Sequence, residues 1–125
     1  MSQVLLVEPD RPLAKTYQAA LRQAGHKVKV AASSQEAINV ADKTVPDVVV
    51  LEIQLIRHSG IEFLYEFRSY PEWQGIPVLI HTNVPYQELK DGWPLLSEHL
   101  GVAKYKYKPD TNLEALISSV NELTQ

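Results

Sequence analysis

The chain has no cysteine at all, which excludes disulfides, thiolate nucleophiles and Cys-ligated metals and suits a reducing compartment. It also lacks an excess of one charge. Its 12 basic and 15 acidic residues give a formal net charge of −3, spread along the sequence without the basic stripe that DNA, RNA or an anionic membrane requires. Direct nucleic-acid binding is not expected. No apolar run approaches the ~20 residues needed to cross a bilayer, and no signal peptide is visible, so the expected location is the cytoplasm and no membrane partner is expected. What remains, 125 residues with 45% hydrophobic content, is enough for one proper core and too little for two, so residues 1–125 read as a single domain.

Short apolar runs alternate with amphipathic segments. Val4-Leu5-Leu6-Val7 reads as a strand buried on both faces. A helical stripe of Leu13, Tyr17, Ala20, Leu21 and Ala24 follows, closed by Gly25. Lys27-Val28-Lys29-Val30-Ala31 alternates polar with apolar and reads as an edge strand whose lysines discourage foreign pairing. Ser33 to Glu36 starts a second helix, which Pro46 stops. A third strand runs from Asp47 to Ile53. Gly60 then opens a helix bearing Ile61, Phe63, Leu64 and Phe67 that ends near Tyr70. Ile76 to Thr82 is a fourth strand, with Pro77 tolerable only near its beginning. Gly92 and Pro94 interrupt residues 86 to 100 and predict a helix split in two. Val102 to Tyr107 is a fifth strand, and Leu113, Leu116, Ile117 and Val120 mark the last helix.

Five strand-helix units predict an α/β fold: a flavodoxin-like (βα)5 three-layer sandwich around a parallel sheet of order 2-1-3-4-5. Such sheets display their chemistry at the carboxyl ends of the strands, and the first and third strands flank the switch point. Glu8, Glu52, Thr82 and Lys108 stand at four of those ends. Glu8 and Glu52 are therefore predicted neighbours.

These residues and spacings resemble the receiver domain of two-component response regulators over the whole chain. That family carries an acidic pair after the first strand, a phosphorylated Asp after the third, Thr or Ser after the fourth, and an aromatic residue and Lys-Pro in the fifth. The matching positions here are Glu8-Pro9, Glu52, Thr82, and Tyr105 with Lys108-Pro109. The run from Glu52 through Leu55 to Gly60 keeps the family spacing, with Ile56 in place of the common Pro.

The departures bear on function. Glu52 is the phosphoacceptor equivalent, but its added methylene carries the carboxylate roughly 1 to 1.5 Å beyond that of an Asp, and in-line attack is sensitive on that scale. Pro9 stands at the position that the resemblance assigns to a direct metal ligand, so Mg²⁺ binding is expected to be weak or absent. Glu8 and Asp10 form the remaining acidic pocket. The resemblance therefore implies a degenerate receiver: no enzyme, no cofactor, and a phosphorylation-independent signalling and protein-interaction module. Glu52 would reach toward Thr82 and Lys108 as a built-in partial mimic of a phosphoryl group, limited by its single charge. In the family, Thr moves toward the phosphoryl group and the fifth-strand aromatic turns inward. Thr82 and Tyr105 supply both parts, and the expected partner is a protein on the face of the fourth helix, fifth strand and fifth helix.

Other readings stand beside this one. Glu52 and Lys108 could form a plain strand-end ion pair, and Tyr105 and Tyr107 could simply pack under the last helix. In an active receiver, Glu8 and Asp10 would hold the metal while Glu52 or a neighbour accepts phosphate, as in a phosphorelay. A flavodoxin-like cofactor binder would need a Gly-, Ser- or Thr-rich loop where Glu8-Pro9-Asp10-Arg11-Pro12 stands. No nucleophile elbow or Cys-His pair suggests a hydrolase. His26, His58, His81 and His99 lack ligand spacing, so no metal ligand is assigned and packing or loop roles are expected. Trp73 is expected to pack near a loop, and Trp93 to be exposed on a partner surface.

Overall fold

The computed structural model describes residues 2–125. Five parallel strands form one sheet of order β2-β1-β3-β4-β5: β1 (Gln3–Val7), β2 (Lys27–Ala31), β3 (Val48–Leu51), β4 (Val78–Thr82) and β5 (Val102–Tyr107). The helices are α1 (Arg11–Gln23), α2 (Ser34–Lys43), α3 (Gly60–Arg68), α4 (Tyr86–Leu89) and α5 (Leu113–Thr124). Every residue of β3 and β4 is buried, as a parallel sheet covered on both faces requires.

Alternation along the strands divides the core in two. Leu5, Val7, Val49, Leu51, Val78 and Ile80 pack with Ala37, Ile38, Phe63, Leu64 and Phe67 from α2 and α3. Val4, Leu6, Val48, Val50 and Leu79 face Ala14, Leu21, Leu116 and Val120 from α1 and α5. The sheet thus separates two apolar layers, which is the sandwich that the sequence predicts.

Helix starts follow local chemistry. Ser33 caps α2 by accepting from the Glu36 N–H, and Ser59 with Glu62 forms a reciprocal capping box on α3. Gly60 is required there by close approach, because a Cβ at that position would lie 2.6 Å from the Ile53 Cα. Asp10 caps α1 through the Leu13 N–H, so that helix begins two residues earlier than its apolar stripe suggests. Its buried residues are Ala14 and Leu21, while Ala24 is exposed outside the helix. Leu113, expected on the apolar stripe of α5, is also exposed.

The segment after β4 departs most from regular helix. Only one turn of α4 forms before a 3-10 turn at Lys90–Gly92 and a π turn at Leu95–His99. Pro94 brings no N–H, Ser97 Oγ donates to the Trp93 carbonyl, and Leu100 N–H bonds back to Leu95. Arg68, at the end of α3, holds this segment in place. Its guanidinium donates to the carbonyls of Leu100 (2.8 Å), Gly101 (3.1 Å), Trp73 (2.6 Å) and Ile76 (2.6 Å), groups that a helix end or loop would otherwise leave unsatisfied.

Trp73 packs in the turn after α3, as expected, and Trp93 lies deeper than expected. Trp73 is 1% exposed and stacks on Phe67 with ring centroids 5.1 Å apart. Trp93 is half-buried instead of exposed, with its ring edge-on to Tyr86 and Tyr105. Trp93 and Pro94 keep right-handed helical dihedrals, so helical turns run on past Gly92 and present the Trp93 ring to Tyr86 and Tyr105.

Candidate functional site

The carboxyl ends of β1, β3, β4 and β5 converge because parallel pairing places Val7 beside Leu51, and Thr82 beside Tyr107. The next residues along the chain, Glu8, Glu52 and Lys108, are then held close together. Lys108 Nζ donates to Glu8 Oε1 at 2.6 Å and to Glu52 Oε1 at 2.8 Å. All three side chains are almost fully enclosed, at 3%, 4% and 7% exposure for Glu8, Glu52 and Lys108.

The remaining carboxylate oxygens are also occupied. Glu52 Oε2 accepts from the Thr82 hydroxyl and from the Gln54 N–H at 3.0 Å. Glu8 Oε2 accepts from the Asp10 N–H at 3.2 Å. Two buried anions share one cation, and hydrogen bonds to backbone and hydroxyl carry the rest of the charge. Burial pushes the Glu52 carboxyl up, but the bonds from Lys108, Thr82 and Gln54 outweigh it and hold the group below the ordinary carboxylate range. Burial likewise acts to lower Lys108, and its two carboxylate partners reverse that and raise it.

Asp10 does not join this cluster. Its carboxylate is exposed and spent on the α1 cap, a role that its place directly before Arg11-Pro12-Leu13 could have indicated. Pro9 offers no side-chain donor. Among the described residues, no group of three or more His, Asp or Glu is arranged to hold a metal ion.

Thr82 connects the cluster to a second group. Its hydroxyl oxygen accepts from the Val84 N–H at 3.2 Å, and the Val84 carbonyl accepts from the Tyr105 hydroxyl at 2.5 Å. An irregularity between β4 and β5 sets Tyr105 opposite Ile80, which brings its ring against the α2/α3 layer and the rings of Tyr86 and Trp93. A continuous path of contacts therefore runs from Glu52 through Thr82 and Val84 to Tyr105.

His81, which alternates with Ile80 along β4, faces α1, 2% exposed and edge-on to Tyr17 at 4.9 Å. Burial, with the nearby Lys108 charge, lowers its pKa to about 4. The other histidines are distributed elsewhere: His26 pairs with Asn121, His58 with Glu62, and His99 is exposed.

The sequence matches the response regulator receiver domain family over residues 4–98. The probable transcriptional regulatory protein TcrX of Mycobacterium tuberculosis is 39% identical over 79 residues, which cover 63% of this chain and 33% of that protein. A gliding motility regulatory protein of Myxococcus xanthus is 28% identical over 97% of this chain and 15% of its own length. The chain thus spans about a third or less of either relative. Among solved structures, the chemotaxis protein CheY4 of Vibrio cholerae superposes with a TM-score of 0.87 at 25% identity, covering 98% of both chains. A receiver domain protein of Methanospirillum hungatei, at 20% identity and a TM-score of 0.84, covers 98% of this chain and 92% of its own, and supports the fold alone. With the parallel sheet, its strand order and the converging strand ends already in view, the chain belongs to the response regulator receiver domain family of two-component signalling.

Proposed function

We propose that this chain is a pseudo-receiver, a protein-interaction module that signals without phosphorylation and performs no catalysis. Glu52 stands in for the charged state of a phosphoacceptor. The observation that carries this reading is the simultaneous engagement of Glu52 by Lys108 through one oxygen and by Thr82 through the other. Those are the groups that, by family resemblance, would receive an added phosphoryl group. The inward Tyr105, bonded to the Val84 carbonyl, supports a bias toward the switched arrangement.

The same engagement argues against turnover. Every carboxylate oxygen of Glu8 and Glu52 already accepts a hydrogen bond, and Pro9 contributes no ligand, so the donor set does not fit Mg²⁺, which demands near-octahedral oxygen coordination. A phosphoryl donor would have to displace Lys108 and Thr82 from a buried anion before attack. We place the partner, a protein, on the face of α4, β5 and α5, where Tyr86, Leu95 and Leu113 are exposed.

Intact-mass measurement after incubation with acetyl phosphate and Mg²⁺ tests the proposal. The expected result is an unchanged mass. A stoichiometric gain of one phosphoryl group would overturn it.

A further inference from the structure

The amino-terminal end of the sheet carries a groove of about 550 Å³ between the end of α1, the outer strand β2 and the residue that closes α2. Its lining brings Arg22, His26, Lys27 and Lys29 together with Gln3 and Thr44, and includes no acid. Arg22, Lys27 and Lys29 are exposed and take part in none of the ion pairs formed among the described residues. The fold accounts for only part of this charge. Arg22 lies in the last turn of α1, where a base offsets the helix dipole, and Lys43 does the same for α2. Asp47, the acid beside Gln3, turns a carboxylate oxygen to the Gln3 N–H at 2.7 Å and stands outside the lining. Lys27 and Lys29 remain unmatched on one face of β2, roughly 6–7 Å apart along the strand.

His26 gives an independent sign. Its Nε2 pairs with Asn121 Oδ1 at 2.7 Å, while Nδ1 is enclosed without a hydrogen-bond partner, the one buried side-chain nitrogen or oxygen in that condition among the described residues. Folds leave few buried polar atoms unpaired, so one on a residue that lines a basic groove calls for a physical account.

We propose that this groove binds linked phosphoryl groups, as in a short polyphosphate chain or the tail of a nucleotide. Three permanent cations suit a polyvalent anion better than a single carboxylate, and Arg and Lys are the side chains that recognise phosphoryl oxygens. Apart from the buried Val28, the lining holds no large apolar side chain, so the ligand needs no apolar body. Lys27 and Lys29 hold successive phosphoryl groups along β2 while Arg22 reaches them from α1. At His26 the Asn121 amide turns over to donate to Nε2, and Nδ1–H donates to a phosphoryl oxygen, which completes the ring's hydrogen bonding without a change of charge. The groove lies at the opposite end of the strands from Glu52, so its occupancy is independent of the acidic cluster and of the function proposed above.

An amide-resolved NMR titration with tripolyphosphate tests this, in about 0.15 M salt so that loose ionic attraction is screened beyond ~8 Å. The expected result is a saturable shift at Lys27, Val28, Lys29 and Thr44 and movement of the His26 Nδ1 signal. Gln54 and Val84, whose N–H groups donate at the acidic cluster, should stay silent. The Lys27→Gln/Lys29→Gln variant keeps long polar side chains on the strand and should bind about tenfold more weakly or worse. Removing the same charge elsewhere on the surface, in Arg11→Gln/Lys15→Gln, should leave the affinity nearly unchanged. Unmoved Gln54 and Val84 amides in both variants verify that each is folded. Adenosine triphosphate separates the two sources, since binding tighter than that of tripolyphosphate assigns a nucleotide tail and equal or weaker binding assigns a free chain. The proposal is overturned if the groove amides show no saturable response, if the His26 signal stays in place, if the Lys27/Lys29 variant binds undiminished, if the Arg11/Lys15 variant loses as much, or if Gln54 and Val84 move with the ligand.

Discussion

Lys108 is the residue on which the acidic site depends, since it is the cation bonded to both enclosed carboxylates. Lys108→Met leaves two like charges buried without their partner, and breaking such a pair costs about 3–5 kcal/mol. Urea denaturation at pH 7 should show a loss of that order, and a loss below ~1 kcal/mol would remove the cluster from the stability account. The pH windows follow from the shifts. Glu52, held below its ordinary value of 4.5, contributes stability that is present above that value and lost as pH falls through the lower folded one. Lys108, raised above 10.5, contributes stability that is complete below that value and lost as pH rises past the folded one. His81 acts in a window of its own. With its pKa lowered from 6.5 to about 4, the unfolded chain binds the extra proton in that interval, so stability falls as pH drops from 6.5 to 4. The expected change is on the order of 3 kcal/mol. Denaturation midpoints across that range should flatten in His81→Leu. An unchanged slope would assign the effect to other groups.

Single elements carry strain that can be measured. Arg57, in the loop between β3 and α3, holds φ at 73°, a left-handed conformation that costs a side-chain-bearing residue about 1–2 kcal/mol. Arg57→Gly should therefore raise stability by about 1 kcal/mol, less whatever the freer unfolded chain takes back. A drop in thermal midpoint for that variant would contradict the strain. Gly60→Ala should do the opposite, because the new Cβ meets backbone at Ile53 instead of a flexible chain end. A cost of about 1–3 kcal/mol is expected, together with displacement of the neighbouring Glu52, read as a shift of the Gln54 amide resonance. The fourth helical segment shows where sequence periodicity loses its hold. Gly92 and Pro94 announce the break, yet nothing in the local pattern reveals that Arg68, more than 30 residues distant from Leu100 and Gly101, would fasten the pieces. That contact depends on the packing of α3 beside the end of the π turn, which is tertiary information.

Across the whole molecule, the sheet was legible because buried parallel strands leave uninterrupted apolar runs and because right-handed crossovers allow few orders. The convergence of Glu8, Glu52, Thr82 and Lys108 followed from that topology alone. Their hydrogen bonding did not, since the sharing of one ammonium by two carboxylates is set by side-chain reach and enclosure. Asp10 shows the limit well: its neighbours in sequence suggested a pocket, while the helix that starts beside it claimed its carboxylate. The aromatic group of Tyr86, Trp93 and Tyr105 was equally hidden, for it joins β5 to the segment after β4, whose approach is set by tertiary packing. This group offers a long-range readout. Glu52→Gln removes the charge that draws Lys108 and Thr82 together, and the path through Val84 should pass the change to Tyr105. Tryptophan emission in a Trp73→Phe background should then move to longer wavelength as Trp93 gains water. Unmoved emission would break the link between the two ends.

The carboxylate bonded to Lys108 and Thr82 belongs to the polypeptide itself and is not placed there by a kinase. If the domain signals as proposed, an anion supplied by translation has no half-life of hydrolysis and gives it no timer. The strength of its message would then be set by copy number and ended by dilution, degradation or a competitor for the partner.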